Sequence, residues 1–205
     1  MKKIHAVVLA IGLVTGNANA TDFSFTGNFE DDNEVQEFHF TVAEAASDVT
    51  LRTLSYAGGT NAAGAEIARG GFDPIVALFD GSTGNLIDQD DDGSVIVDPD
   101  PASGRSWDSF LMRNLSAGDY TATVTQYGSF ANGPLLADGF MGSSGTGFAS
   151  RDSHWALDIL NVNSATIGAS YVSANPIPEP ERYALLLAGL GLITFIARRR
   201  IGEGT

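Results

Sequence analysis

The chain contains no cysteine, and between Thr21 and Pro178 it contains no lysine. The first absence excludes thiol catalysis, cysteine zinc ligands and disulfide staples, so any core must hold by packing alone. The second leaves five arginines against 22 acids in that segment, a formal net charge of −17. Such a surface repels phosphate, because nucleic acids and anionic headgroups are bound by cations; nucleic acid is excluded as a partner. The same surface favours solubility and attracts divalent cations. Also missing from the segment are an amphipathic helical period, an internal repeat and a heptad pattern.

What is present is a succession of short alternating runs. "DFSFTGNFEDDNEVQEFHFTV" places Phe23 and Phe25 on one face, and Phe38, Phe40 and Val42 on another two-residue ladder. "DVTLRTLSY" (48–56) repeats the pattern, and a Gly/Ala-rich loop follows from Ala57 to Gly71. "IVALF", bounded by Pro74 and "DGSTGN", predicts a buried strand, with "NLI" returning across the turn as its hairpin partner. A polar loop covers Asp98 to Arg105. Two strands flank "NLSAGD", a Gly/Ser-rich stretch runs from Ser129 to Ser150, and "HWALDILNV" is expected to be the last strand. Short strands separated by Gly, Asn, Asp and Ser turns predict an all-β sandwich of jelly-roll type over residues 21–174.

Both ends have a different character. The start reads MKK, then an apolar run from Ile4 to Val14, then Ala18-Asn19-Ala20. This order of positive, apolar and small-x-small segments predicts a signal peptide over 1–20, cleaved after Ala20. Residues 175–182 hold "NPIPEP" and predict a stiff, extended linker. Residues 183–197 carry no charge, and Arg198, Arg199 and Arg200 open a basic tail over 198–205. As a helix the apolar run spans ~22 Å, short of a ~30 Å hydrocarbon core. Tyr183 and snorkelling arginines extend its reach, so it is expected to cross the membrane as a weak anchor, arginines in the cytoplasm.

Pro178-Glu179-Pro180, the glycine-containing apolar run and the arginine triplet together resemble the PEP-CTERM sorting signal. That resemblance covers about 25 residues. It implies recognition by an exosortase, a membrane-embedded, cysteine transpeptidase-like enzyme of Gram-negative bacteria. The tail would be cut near the PEP, and the domain released or attached at the cell surface in an exopolysaccharide or biofilm setting. The ordinary alternative is a single-pass anchor on a proline-rich stalk. "FDPIVALFDGSTGNLIDQDDDG" followed by "LSAGDYTATVTQYG" is similar to bacterial pre-peptidase C-terminal β-sandwich domains, which implies a non-catalytic module.

"DQDDDG" sets Asp88, Asp90 and Asp92 at alternate positions before Gly93, a spacing that presents three hard oxygen ligands and points to calcium. It departs from the EF-hand, since Pro99 stands at the twelfth position. Completing ligands would come from backbone carbonyls or from Asp73, Asp80, Asp98 or Asp100; the alternative is a solvated acidic loop. His39 is expected on the solvent side of its strand. His154 beside Asp152 and Ser153 does not make a triad, which needs convergence in space. Trp107, Trp155 and Tyr127 are candidates for a sugar-stacking platform or for core positions. The reading is an exported, exosortase-processed matrix protein without catalysis. Its alternatives are a calcium-dependent carbohydrate-binding module and a secreted hydrolase.

Overall fold

Alternation in "EFHFTV" buries Phe38, Phe40 and Val42 and leaves His39 on the opposite, solvent face, its side chain 53% exposed. In a pleated strand that pattern needs a second layer to cover the apolar side. The computed structural model, which describes residues 20–44, 46–143 and 147–173, supplies it. One sheet has the order β1 (Thr21–Asn28), β10 (His154–Val162), β3 (Ser47–Thr53), β8 (Phe110–Leu115). The other has the order β11 (Ser164–Val172), β2 (Glu34–Val42), β9 (Gly118–Gln126), β6 (Pro74–Asp80), β7 (Leu86–Asp90). Every pairing is antiparallel. A two-stranded ribbon, β4 (Gly59–Thr60) and β5 (Glu66–Ile67), stands apart inside the Gly/Ala-rich loop.

Between the sheets Phe38 meets the edge of Trp155 at 5.5 Å, and Phe40 stacks on Tyr120 at 5.4 Å. Leu51, Leu157 and Ile159 complete the layer, all essentially inaccessible to water. Gly27 is required where β1 passes this layer: a Cβ there would lie 2.3 Å from the Trp155 ring.

β6 explains why "IVALF" is continuous rather than alternating. Val76 and Leu78 face the inter-sheet core, while Ala77 and Phe79 face a second cluster with Val35, Ala131 and Phe140. The Gly/Ser-rich stretch after β9 thus covers the outer side of the second sheet, and a strand buried on both faces reads as an unbroken apolar run. The β6–β7 turn is held by Asp80, whose Oδ1 accepts from the backbone N–H and hydroxyl of Ser82 and of Thr83 at 2.7–3.0 Å. Gly84 follows at φ 73°, open to glycine without strain.

The expectation that "HWALDILNV" ends the domain is corrected by β11, which pairs with β2 from Ser164↔Thr41 to Val172↔Glu34. Six of its nine residues are Ser, Ala, Thr or Gly, and Ile167 and Val172 lie more than half exposed on an outer edge, so the strand carries little buried alternation. The predicted linker, the apolar segment 183–197, Ala18, the PEP residues and the arginine triplet all lie outside the described residues, and Ala20 is the first residue within them. Among the described residues no helix is long and apolar enough to cross a membrane.

Candidate functional site

β6 begins and β9 ends at the same pole of the sandwich, where Pro74 pairs with Gln126 and the Tyr127 N–H donates to the Asp73 carbonyl at 2.8 Å. Chain leaving both strands there, with loops from β3, β7 and the 129–153 segment, encloses a cleft of about 640 Å³. That volume lies within the range of small-molecule sites. Its aromatic walls are Tyr56, Trp107, Tyr127 and Phe148; its polar lining includes Asp73, Asp91, Asp92, Gln126 and Arg151. Tyr56, only 3% exposed, lies 5.1 Å from Trp107 at 57° and backs that ring.

Two buried aspartates build this wall from beneath. Asp108 takes hydrogen bonds from the backbone N–H groups of Ser55, Tyr56 and Ala57 and from the Thr53 hydroxyl at 2.6–3.0 Å. It thereby fixes the turn that carries Tyr56. Burial pushes the Asp108 carboxyl upward against the pull of those four donors. Asp100 accepts from Arg69 Nε and from the Ser103 hydroxyl, each at 2.8 Å, and the Arg69 bond leads in holding its carboxyl well below the usual range. The oxygen that takes the Ser103 hydroxyl, Oδ2, also lies 3.6 Å from Arg151. Arg151 also donates to the carbonyls of Gly71 and Tyr56 at 2.5 and 2.6 Å, and its guanidinium sits 3.5 Å over the Tyr56 ring. The cleft's arginine is therefore a strut.

Asp73 is the perturbed group. Burial, then the neighbouring charges of Asp92, Asp91 and Asp108, push its carboxyl up to about 8, with Arg151 opposing. Asp73 Oδ1 and Gln126 Oε1 are buried acceptors without a hydrogen-bond partner among the described residues, although Gln126 Nε2 donates to the Gly147 carbonyl at 2.7 Å.

The aspartates singled out in the sequence divide. Asp88 pairs with Arg113 of β8, and Asp90 accepts the Phe110 N–H at 2.9 Å, so both tie the edge of one sheet to the other. Asp92 alone of the three reaches the cleft, beside Asp91. Among the described residues no three acidic, histidine or cysteine side chains are grouped to hold a metal ion. Of the residues offered to complete a site, Asp80 and Asp100 are committed to the partners described above, Asp98 lines a separate cavity of about 140 Å³, and Asp73 is in the cleft.

His154 places Nδ1 3.3 Å from Asp152 and Nε2 2.9 Å from the Ala68 carbonyl, so neither nitrogen is directed at a serine and no triad forms. Trp107 and Tyr127 meet in the cleft as a platform would require, whereas Trp155 is core. Arg151 went unread in the sequence. Its signal was a lone arginine between Arg113 and Arg182, at the end of a Gly/Ser-rich stretch. No protein-family model and no curated protein matches this chain.

Stability is expected to pass through a maximum on the acid side of neutrality. The Ser82 hydroxyl leads in drawing Asp80 down to about 2, so its contribution is present above its ordinary value and is lost as pH falls toward 2. Asp73 acts with the opposite sign. From its ordinary 3.8 up to about 8 the folded state holds a proton that the unfolded chain has released, so stability falls across that window and levels above it. Asp90 and Asp92, also raised chiefly by burial, add in the same direction. Melting temperatures between pH 4 and 9 should therefore decline in the wild type and flatten in Asp73→Asn. Parallel curves for the two proteins would sink this assignment.

Proposed function

We propose that the chain is an exported surface protein, processed by an exosortase, whose sandwich is a non-catalytic module that adheres to extracellular polysaccharide. The observation that carries the adhesive part is the cleft, whose lining joins Trp107 and Tyr127 to carboxylate and amide groups. Sugar rings offer C–H faces to aromatic rings and hydroxyls to such acceptors. The order of the strands supports reading the sandwich as a jelly roll. Apart from the β6–β7 hairpin and the small ribbon, successive strands alternate between the sheets, and lectin domains use that architecture. Export rests on the Ala18-Asn19-Ala20 signal and on the tail from Pro178 to Arg200.

A glycan array probed with the protein tests the adhesive part. Trp107→Ala, which removes one ring face, should weaken retention about tenfold. Absence of any retained glycan, or equal retention by the variant, would overturn it. Chelator in a parallel arm tests the calcium requirement suggested by the spacing of Asp88, Asp90 and Asp92.

A second reading, a secreted glycoside hydrolase, is favoured by one observation: Asp73 is raised into the range of a general acid beside two further carboxylates. New reducing ends in the array supernatant, lost in Asp73→Asn, would select it over adhesion.

A further inference from the structure

Two buried acceptors in the cleft stand without partners. Arg151 donates to the Gly71 and Tyr56 carbonyls and pairs with Asp100 at 3.6 Å, and one Gln126 amide N–H is engaged with Gly147. Left over are the unpartnered oxygens of Asp73 and Gln126 and the carboxylates of Asp91 and Asp92, beside the Trp107 indole N–H and the Tyr127 hydroxyl. Gln126 is only 4% exposed, so its orphaned oxygen has little recourse to bulk water. A buried acceptor left unpaired is costly, and one beside a cleft points to a ligand that donates. Asp100 is shared by Arg69 and Arg151, and Arg105 lies 5.3 Å over Trp107, whereas Asp91 and Asp92 make no ion pair among the described residues.

We infer that the cleft selects sugars bearing a protonated amine, so that the polysaccharide it holds is one with free, unacetylated amino groups. This rests on the adhesive reading above and narrows it. An ammonium supplies three donors and one positive charge. The exposed ring of Tyr127 stabilises it through its face, and Asp91 and Asp92 through Coulomb attraction. A neutral, acetylated sugar leaves both carboxylates without a counter-charge. The charged groups facing Asp73 are Asp91, Asp92, Asp108 and Arg151, three of them acidic. An ammonium placed among them favours the ionised form of Asp73, so at neutral pH its binding should expel a proton.

Calorimetry on the full chain, with glucosamine oligomers and N-acetylglucosamine oligomers of equal length, tests the inference. The free-amine oligomer should bind at least tenfold more tightly. Titration at pH 7 in two buffers of different ionisation heat should report release of close to one proton, lost in Asp73→Asn. Asp91→Asn with Asp92→Asn should remove the preference, and melting curves of both variants establish that they fold. Equal binding of the two oligomers overturns the inference and leaves the adhesive reading standing. Binding of neither overturns it too, and the array then decides the adhesive reading separately. Tight binding of the amine with no proton release, unchanged in the double variant, places the polymer on the general acidic surface and likewise overturns it.

Discussion

Asp108→Ala should cost the fold ~3–5 kcal/mol, because it strands several buried donors that each cost ~1–3 kcal/mol when unpaired. Asp108 is 2% exposed, and its two oxygens satisfy three successive backbone N–H groups and one hydroxyl. Thr53 Oγ1 cannot replace it, since it already accepts from the Ser109 N–H at 2.8 Å. Against a typical domain stability of ~5–15 kcal/mol the loss is a large fraction. In urea it should move the unfolding midpoint by ~2 M. Asp108→Asn should fall between wild type and alanine, since one oxygen still accepts while the amide opposes the remaining N–H. Removal of the Asp108 charge should also bring Asp73 back toward its ordinary range, because Asp108 is among the groups that raise it. A midpoint shift under ~0.5 M in the alanine variant would mean that water replaces the carboxylate and that the wall of the cleft does not depend on it.

Substituting alanine for Pro178, Glu179 and Pro180 together should block maturation outright. Under the proposed sorting, the apolar run of 15 residues is a weak anchor that holds the chain only until the tail is cut. Without the proline-flanked glutamate the enzyme loses its recognition element, and the chain should accumulate in the membrane with its sequence intact through Thr205. Mass spectrometry of the protein from its own cell reads both ends at once: wild type should begin at Thr21 and end near Pro178. A variant processed like wild type would remove the exosortase from the account, as would wild type found intact.

Most of the sandwich was legible because its strands alternate or run apolar where burial demands it. The ladder of Phe38, Phe40 and Val42 and the run Ile75–Phe79 left little freedom, since either one turned outward would expose several large side chains. β11 was not legible, for the opposite reason: an outer edge strand whose Ile167 and Val172 face solvent buries too little to need a pattern. The cleft was half legible. Trp107, Tyr127 and Asp73 were named as candidates, but nothing in a linear chain says that they meet. Alternate spacing drew the eye to Asp88, Asp90 and Asp92, yet along a pleated strand that spacing directs side chains to one side of the sheet, here toward β8. Asp91, out of step with them, is the residue that turns into the cleft together with Asp92. Asp100 was expected in a polar loop, and nothing in the sequence marked Asp108 for burial. Their burial depends on Arg69, on Arg151 and on backbone N–H groups brought from distant parts of the chain.

The described chain enters and leaves at opposite poles. Thr21 starts β1 opposite Val162, whereas β11 runs back to end beside Glu34, and Ser173 donates its N–H to the Asn33 carbonyl at 2.9 Å. The Asn33 side chain in turn accepts from the N–H of Ser143 at 2.8 Å, and Ser143 borders the cleft. Under the proposed adhesion, a pull between a polymer seated there and the chain beyond Ser173 enters the sandwich at one pole, through Ser173, Asn33 and Ser143. Cargo and leash would then tug on the same end of the bead.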